Sequence, residues 1–255
     1  MRSTGQIEAV TFDFWDTLVI DDSDEIERAR RGLPTKEVGR EALFVESLLR
    51  ANPAIPRAAV TEAWAHLQRR FRVAWKDEQR TPGVAERLGW GLTLLGVDAP
   101  PTWGEVVDQF EMMEVDIPPE PAPGVEEALR ALSSRYRLGI ISDTIITPGR
   151  LLRRLLARMN VELLFRAQIY SDEAGRSKPA PRVYALACAG LDVAPSALLH
   201  VGDREENDVL GPQRFGARAA LYTGVVDRGS QSTAADIVCA DLRALPDQIA
   251  ALSAR

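Results

Sequence analysis

Asp13 closes the apolar run Val10-Thr11-Phe12, and the chain then breaks out of that strand through Phe14-Trp15-Asp16-Thr17. A carboxylate at such a strand end can take a phosphoryl group in line, giving an aspartyl-phosphate that water then hydrolyses. The plain role of a strand-terminal Asp is to satisfy a turn, so Asp13 gains weight only from its company. Asp203 and Asp208 lie five residues apart in Gly202-Asp203-Arg204-Glu205-Glu206-Asn207-Asp208, where Gly202 permits a tight exit from another apolar strand. With Asp13 they make an oxygen-rich set suited to Mg²⁺, whose charge would cancel the repulsion between a carboxylate nucleophile and an anionic phosphate. Asp208 also suits the simpler task of capping the helix that begins near Asn207.

Two further groups fall at comparable places. Ser142 ends the run Leu138-Gly139-Ile140-Ile141, where its hydroxyl and the next backbone N–H groups can donate to a phosphoryl oxygen. Lys178, before Pro179, is one of only three lysines among 31 basic residues. A compact ammonium there acts as a point charge toward both Asp13 and phosphate.

The elements that must position these groups alternate. The first strand is read at about Glu8 to Asp13, then come strands at Leu138–Ser142, Gln168–Ser171, Leu198–Gly202 and Arg218–Tyr222, and a short one at Asp236–Cys239. Helices fall between them at Val125–Ser134, Gly149–Met159, Pro181–Gly190 and Asn207–Phe215, with a last one around Leu242–Leu252. Such alternation implies an α/β fold, a doubly wound parallel sheet with helices on both faces and ligands outside the carboxyl ends of the strands. The hundred or so residues after the first strand read only as helices, at about 37–51, 57–76, 83–95 and 103–114. They form an inserted α-helical cap, residues 21–118, on a core of residues 1–20 and 119–255. The prolines of Ile117-Pro118-Pro119-Glu120-Pro121-Ala122-Pro123-Gly124 stiffen the return passage. Asp21-Asp22-Ser23-Asp24-Glu25 is read as a solvated acidic loop entering the cap.

These residues together resemble the haloacid dehalogenase superfamily of hydrolases, in its helical-cap branch. The resemblance is most specific in Ser171 to Pro181 around Lys178, in the Asp203 segment continuing to Ala217, and in Pro121-Ala122-Pro123-Gly124-Val125. It implies a Rossmann-like core and a phosphatase acting on a small phosphorylated metabolite. Asp13 would be nucleophile and metal ligand, Asp203 and Asp208 metal ligands, Ser142 and Lys178 phosphoryl binders and Thr17 an organiser of the nucleophile loop. The backbone carbonyl of Trp15 would complete the Mg²⁺ site.

Trp15 is also the departure from that pattern, because the family's phosphatases carry a second Asp there as general acid and base. Losing such a group costs roughly 10²–10⁴-fold in rate. Asp16 does not replace it, since Thr17 already fits the next motif place and no register shift has occurred. Three readings follow: a metal-dependent phosphatase that is slow, is restricted to leaving groups needing little protonation, or borrows an acid from the cap or the substrate; a dehalogenase or phosphonatase-like hydrolase; or a weakly catalytic binder of a phosphorylated ligand or partner. A dehalogenase has no use for the Gly202-Asp203 to Asp208 segment. A phosphonatase needs a cap lysine of depressed pKa, and neither Lys36 nor Lys76 has the apolar setting for one. A binder would draw on Trp15, Trp64, Trp75, Trp90 and Trp103, although helix-spaced aromatics usually serve the core.

Composition bounds the rest. A chain of 255 residues with 45% hydrophobic and 27% charged content can bury a large core. Its net charge of −6 speaks against a nucleic-acid partner. No apolar stretch reaches the roughly 20 residues of a membrane span, and Met1 to Gln6 lacks an apolar signal core, so a cytoplasmic protein is expected. Cys188 and Cys239 are expected as buried free thiols, and His200 as a core-edge residue. Nothing in the sequence bears on oligomeric state.

Overall fold

The computed structural model describes residues 6–253; most of the amino-terminal stretch read above for a signal core, Met1 to Gly5, lies outside them. Six strands form one parallel sheet: β1 (Ala9–Phe12), β2 (Arg137–Ser142), β3 (Phe165–Tyr170), β4 (Leu198–Gly202), β5 (Arg218–Tyr222) and β6 (Ile237–Cys239), in the spatial order β3-β2-β1-β4-β5-β6. β1 is central and pairs with β2 on one side and β4 on the other. The order reverses there, so a crevice opens at the carboxyl end of β1, where such sheets bind ligands.

Side chains alternate across the sheet, as the period of two demands. Val10, Phe12, Ile140 and Val201 join a cluster with α6 (Val125–Ser133), α7 (Gly149–Arg158) and α11 (Leu245–Ser253). Ala9, Leu198 and Ile141 face the opposite way, in clusters that include α9 (Pro181–Leu191). Helices therefore cover both faces, which is why β1 is buried along its whole length.

Between β1 and α6 the chain makes five helices: α1 (Asp24–Arg30), α2 (Lys36–Ala51), α3 (Arg57–Lys76), α4 (Val84–Leu95) and α5 (Trp103–Asp116). α2 to α5 share their own apolar cluster of Phe44, Leu48, Trp64, Leu67, Leu88 and Phe110, together with Val60, Trp103 and others. Its outgoing and returning passages are laced together: Ile20 N–H donates to Glu120 C=O at 2.9 Å and Ala122 N–H to Leu18 C=O at 2.9 Å. The insert thus leaves and re-enters the sheet body at one place.

Two expectations are corrected. The acidic segment is not a loop throughout, because Asp24 opens α1 and is itself buried. Asp24, Glu25 and Glu27 sit in the first turn and Arg28 and Arg30 in the last, which complements the helix dipole without an apolar stripe. The third strand begins at Phe165 rather than Gln168 and ends at Tyr170, so Ser171 opens the short helix α8 (Ser171–Ala174) instead of closing a strand.

Candidate active site

Asp13 extends the sheet ladder, its N–H donating to Val201 C=O at 2.8 Å, and its carboxylate meets Lys178 Nζ at 2.7 Å. The same ammonium lies 2.6 Å from Asp208 Oδ1. Lys178 is held in turn by its own N–H, which donates to Asp143 Oδ1 at 2.9 Å. Asp13, Asp203 and Asp208 are all buried and offer oxygens within 4.8 Å of one another. Residues remote in sequence thus converge at the carboxyl ends of β1, β2 and β4.

The helix expected to begin near Asn207 begins at Glu205 as a π-helical turn, Glu205–Leu210, so Asp208 lies inside it and is not its N-cap; its Oδ2 accepts the N–H of Arg204 at 2.9 Å, while Oδ1 faces Lys178. Behind it stands His200, fully buried and bonded through Nε2 to Asp208 Oδ1 at 3.1 Å and through Nδ1 to Thr11 Oγ1 at 2.9 Å. Burial lowers the pKa of His200 although Asp208 opposes this. The ring is neutral, and since a carboxylate only accepts, the proton sits on Nε2 and Thr11 donates to Nδ1. His200 is therefore a support for Asp208 and lies deeper than the core-edge place expected of it.

Burial raises the pKa of Asp13, and Asp208 adds to this while Lys178 opposes it. Asp203 is pushed up to about 6 by burial and by the charges of Asp13 and Asp208. Burial works against the charge of Asp208 as well, yet Lys178 and His200 hold it below the usual carboxylate range. Lys178 is likewise opposed by burial and kept well above its ordinary range by Asp13, Asp208 and Asp143.

Arg228, on the loop after β5, had no signal in the sequence. Its Nη2 lies 2.6 Å from Asp16 Oδ2 and its Nε donates to Asp203 Oδ2. Asp16, with φ at +53°, is held on its other side by the N–H of Asp21, which donates to Oδ1 at 3.0 Å. Asp16 is thus a brace of the loop. Arg228 leaves Asp203 Oδ1 buried and without a hydrogen-bond partner, the state of an oxygen prepared for a cation. Four carboxylates, Asp13, Asp16, Asp203 and Asp208, are bonded to only two cationic side chains, Lys178 and Arg228, and a fifth, Asp143, accepts only from the backbone N–H of Lys178 and from neutral side chains. The donors are hard oxygens in net negative surroundings, so they fit a divalent ion of the Mg²⁺ type.

Ser142 is buried at the end of β2, its hydroxyl 3.5 Å from Asp143 C=O. The N–H of Thr144 donates to Ser171 Oγ at 2.8 Å, so of the backbone donors expected after Ser142 this one points elsewhere. Thr17 is buried, and its Oγ1 lacks a hydrogen-bond partner. Trp15 packs edge-on against Phe14, ring centroids 5.0 Å apart. Trp64 and Trp103 belong to the apolar cluster of the insert, with Trp90 packed against it, so of the five tryptophans only Trp15 and Trp75 line the site.

Beside the Asp13–Lys178 pair lies a small cavity of about 60 Å³ lined by Asp13, Trp15, Asp21, Trp75, Asp143 and Lys178, among others. Trp75 reaches it from the end of α3, its Nε1 donating to Asp143 Oδ2 at 3.0 Å. Burial pushes Asp143 up to about 6 against the pull of Lys178 and of this bond. A second cavity of about 150 Å³ adjoins it, lined by Trp15, Asp21, Asp22, Lys36, Arg40, Glu114, Ile145 and Ile146. Lys36 lies buried there, 2.7 Å from Asp24 and 3.1 Å from Asp22. Its pKa is driven upward, burial being outweighed by Glu114, Asp24 and Asp21. Lys76 is exposed and stands over the Trp75 ring. Lys36 is not a neutral amine.

A parallel sheet that gathers an Asp–Lys pair and two more aspartates at its carboxyl edge defines a class of α/β hydrolase. Residues 7–216 match the haloacid dehalogenase-like hydrolases, and the chain belongs to that family. Over 101 residues it is 32% identical to the glyceraldehyde 3-phosphate phosphatase of Pyrococcus abyssi, a match spanning 39% of this chain and 41% of that one. Over 211 residues it is 27% identical to the phosphoserine phosphatase of Thermus thermophilus, covering 76% and 79% of the two chains. The fold is similar to that of a 2-haloacid dehalogenase from Pseudomonas syringae pv. Tomato DC3000, with a TM-score of 0.70 at 22% identity over 96% of this chain and 99% of that one. No helix among the described residues is long and apolar enough to cross a membrane.

Proposed function

We propose that this chain is a phosphatase of small phosphorylated metabolites that works with Mg²⁺, and that residues 21–118 act as its cap. The observation that carries the reading is the unpartnered Oδ1 of Asp203 within a three-aspartate cluster built around the Asp13–Lys178 pair. Asp13, Asp203, Asp208 and the carbonyl of Trp15 would hold the ion, which supplies positive charge to offset that of the phosphoryl oxygens. Asp13 attacks phosphorus in line and becomes the aspartyl-phosphate. Lys178 neutralises charge beside the attacking oxygen, Ser142 donates to a phosphoryl oxygen and Thr17 steadies the loop. The relatives named phosphatases support the same reading.

The competing chemistries fit less well. A departing halide needs no proton and gains nothing from the carboxylates of Asp21 and Asp143 that line the small cavity. Schiff-base chemistry needs a neutral amine, and Lys36 is held charged. The deciding experiment is hydrolysis of para-nitrophenyl phosphate by wild type, Asp13→Asn and Trp15→Asp, with Mg²⁺ and with chelator. Turnover that needs Mg²⁺ and vanishes in Asp13→Asn is expected. Activity that survives chelation, or survives in Asp13→Asn, overturns the reading.

A further inference from the structure

We propose that Asp21 performs the proton transfers that a tryptophan at position 15 cannot, protonating the leaving oxygen as Asp13 is phosphorylated and then activating the hydrolytic water. This rests on the phosphatase reading. The two adjoining cavities share three lining residues, Trp15, Asp21 and Ile145. A phosphoryl group at Asp13 occupies the smaller cavity, so the rest of the substrate must pass between those three to reach the larger one. Of the three, only Asp21 can exchange a proton.

The local structure holds Asp21 there while leaving its carboxyl accessible. Its N–H is anchored on Asp16, which Arg228 grips in turn. Its Oδ1 accepts the N–H of Asp22 at 3.0 Å and lies 3.8 Å from Lys36 Nζ, and the side chain is 42% exposed. Burial beside Asp22, Glu114 and Asp16 pushes its pKa up to about 6 against the pull of Lys36. The other charged groups around it are Arg40 in the larger cavity and Asp13, Asp143, Lys178 and Arg204 in the smaller. A carboxyl in this range can both give and take a proton near neutral pH. Asp143 is the nearest rival, but its oxygens already accept from Lys178 N–H, Trp75 Nε1 and Asn207 Nδ2, and it does not border the larger cavity.

In the first step an Asp13 oxygen bonds to phosphorus and the bond from phosphorus to the leaving oxygen breaks. The electron pair stays on that oxygen, which takes the proton of Asp21 and departs as an alcohol. In the second, the Asp21 carboxylate takes a proton from water as the water oxygen bonds to phosphorus. The bond to Asp13 breaks, restoring its carboxylate, releasing phosphate and leaving Asp21 protonated again.

The test compares para-nitrophenyl phosphate with phenyl phosphate, substrates of like shape whose leaving groups differ in their need for a proton. Asp21→Asn should lower kcat/KM, which reports formation of the aspartyl-phosphate, by about 100-fold or more on phenyl phosphate and by less than roughly 5-fold on para-nitrophenyl phosphate, while kcat falls on both esters because they share the hydrolysis of that intermediate. The decline of kcat/KM above about pH 6 with phenyl phosphate should vanish in the same variant. Asp98→Asn, which removes an exposed carboxylate that lines neither cavity, should keep the wild-type ratio of the two rates. Trp15→Asp combined with Asp21→Asn should recover phenyl phosphate turnover. An unchanged ratio in Asp21→Asn, or a collapse in Asp143→Asn in its place, refutes the assignment. Wild type inactive on both esters refutes the phosphatase reading itself and this proposal with it.

Discussion

Replacing Lys178 by Met exposes how much of the site depends on one ammonium. The side chain is 2% exposed and lies 2.7 Å from Asp13 and 2.6 Å from Asp208, whose side chains are 8% and 0% exposed. Methionine keeps most of the aliphatic stem, so packing survives while two buried carboxylates lose their common partner. Breaking a buried pair from one side costs about 3–5 kcal/mol. At about 2–4 °C per kcal/mol for a chain of this size, the midpoint should fall by roughly 6–20 °C. The folded pKa of Lys178 is raised, so its contribution is fully present below the unfolded lysine pKa and is lost only as pH rises through the folded value. Between pH 6 and 8 the lysine's contribution is therefore constant. Urea unfolding at pH 7.5 with chelator measures it, the chelator keeping divalent ions from substituting for the ammonium. Asp13→Asn added to Lys178→Met should restore at least half of the loss, since the two residues share one interaction. A single variant within about 1 kcal/mol of wild type would refute the account of a strongly coupled buried pair.

Two more perturbations probe the supports of the site. A Cβ on Gly202 would meet Asp208 Cγ at 2.4 Å, so Gly202→Ala should displace the carboxylate that Lys178, His200 and Arg204 all contact. The expected loss is about 3 kcal/mol by thermal unfolding. Trp75→Phe removes a donor to the ionised form of Asp143, so the pKa of Asp143 should rise above about 6, read by carboxyl-carbon NMR titration. The lost bond should also cost about 1 kcal/mol in urea unfolding.

Much of the frame is legible in the sequence because β1, β2 and β4 are short, largely apolar runs ended by Asp13, Ser142 and Gly202-Asp203, whereas β3 carries Arg166 and Gln168 and its start is masked by them. Asp13, Lys178, Asp203 and Asp208 are legible for the same reason: each stands at a strand end or in a short motif whose spacing restricts its place. α1 escapes such a reading because its stability comes from charge placement and not from apolar period. The register that sets Thr11 beside His200 is a property of strand pairing, so the bonds joining both to Asp208 had no local sign. Arg228 comes from an irregular loop and Trp75 from the end of a helix, and only docking against the sheet brings either to a carboxylate.

The tryptophan at position 15 changes the electrostatic division of the site. The cluster at the sheet edge already holds five carboxylates against two bonded cations, and a sixth would add to the burial and repulsion that raise Asp13 and Asp203. An indole in that place adds no charge and walls both cavities. Proton transfer then falls to Asp21, whose pKa answers to Lys36, Asp22 and Glu114, groups of the helical insert and its entry. Lys36 binds Asp24 at the start of α1 and also faces Glu114 on α5, 3.5 Å away. Any movement of α1, α2 or α5 against the sheet therefore alters the charge around Asp21 while leaving the Asp13–Lys178 pair intact. In a phosphatase built this way, substrate contacts made in the larger cavity tune the acid, whereas the nucleophile is set by the end of β1 and by Lys178 beside it.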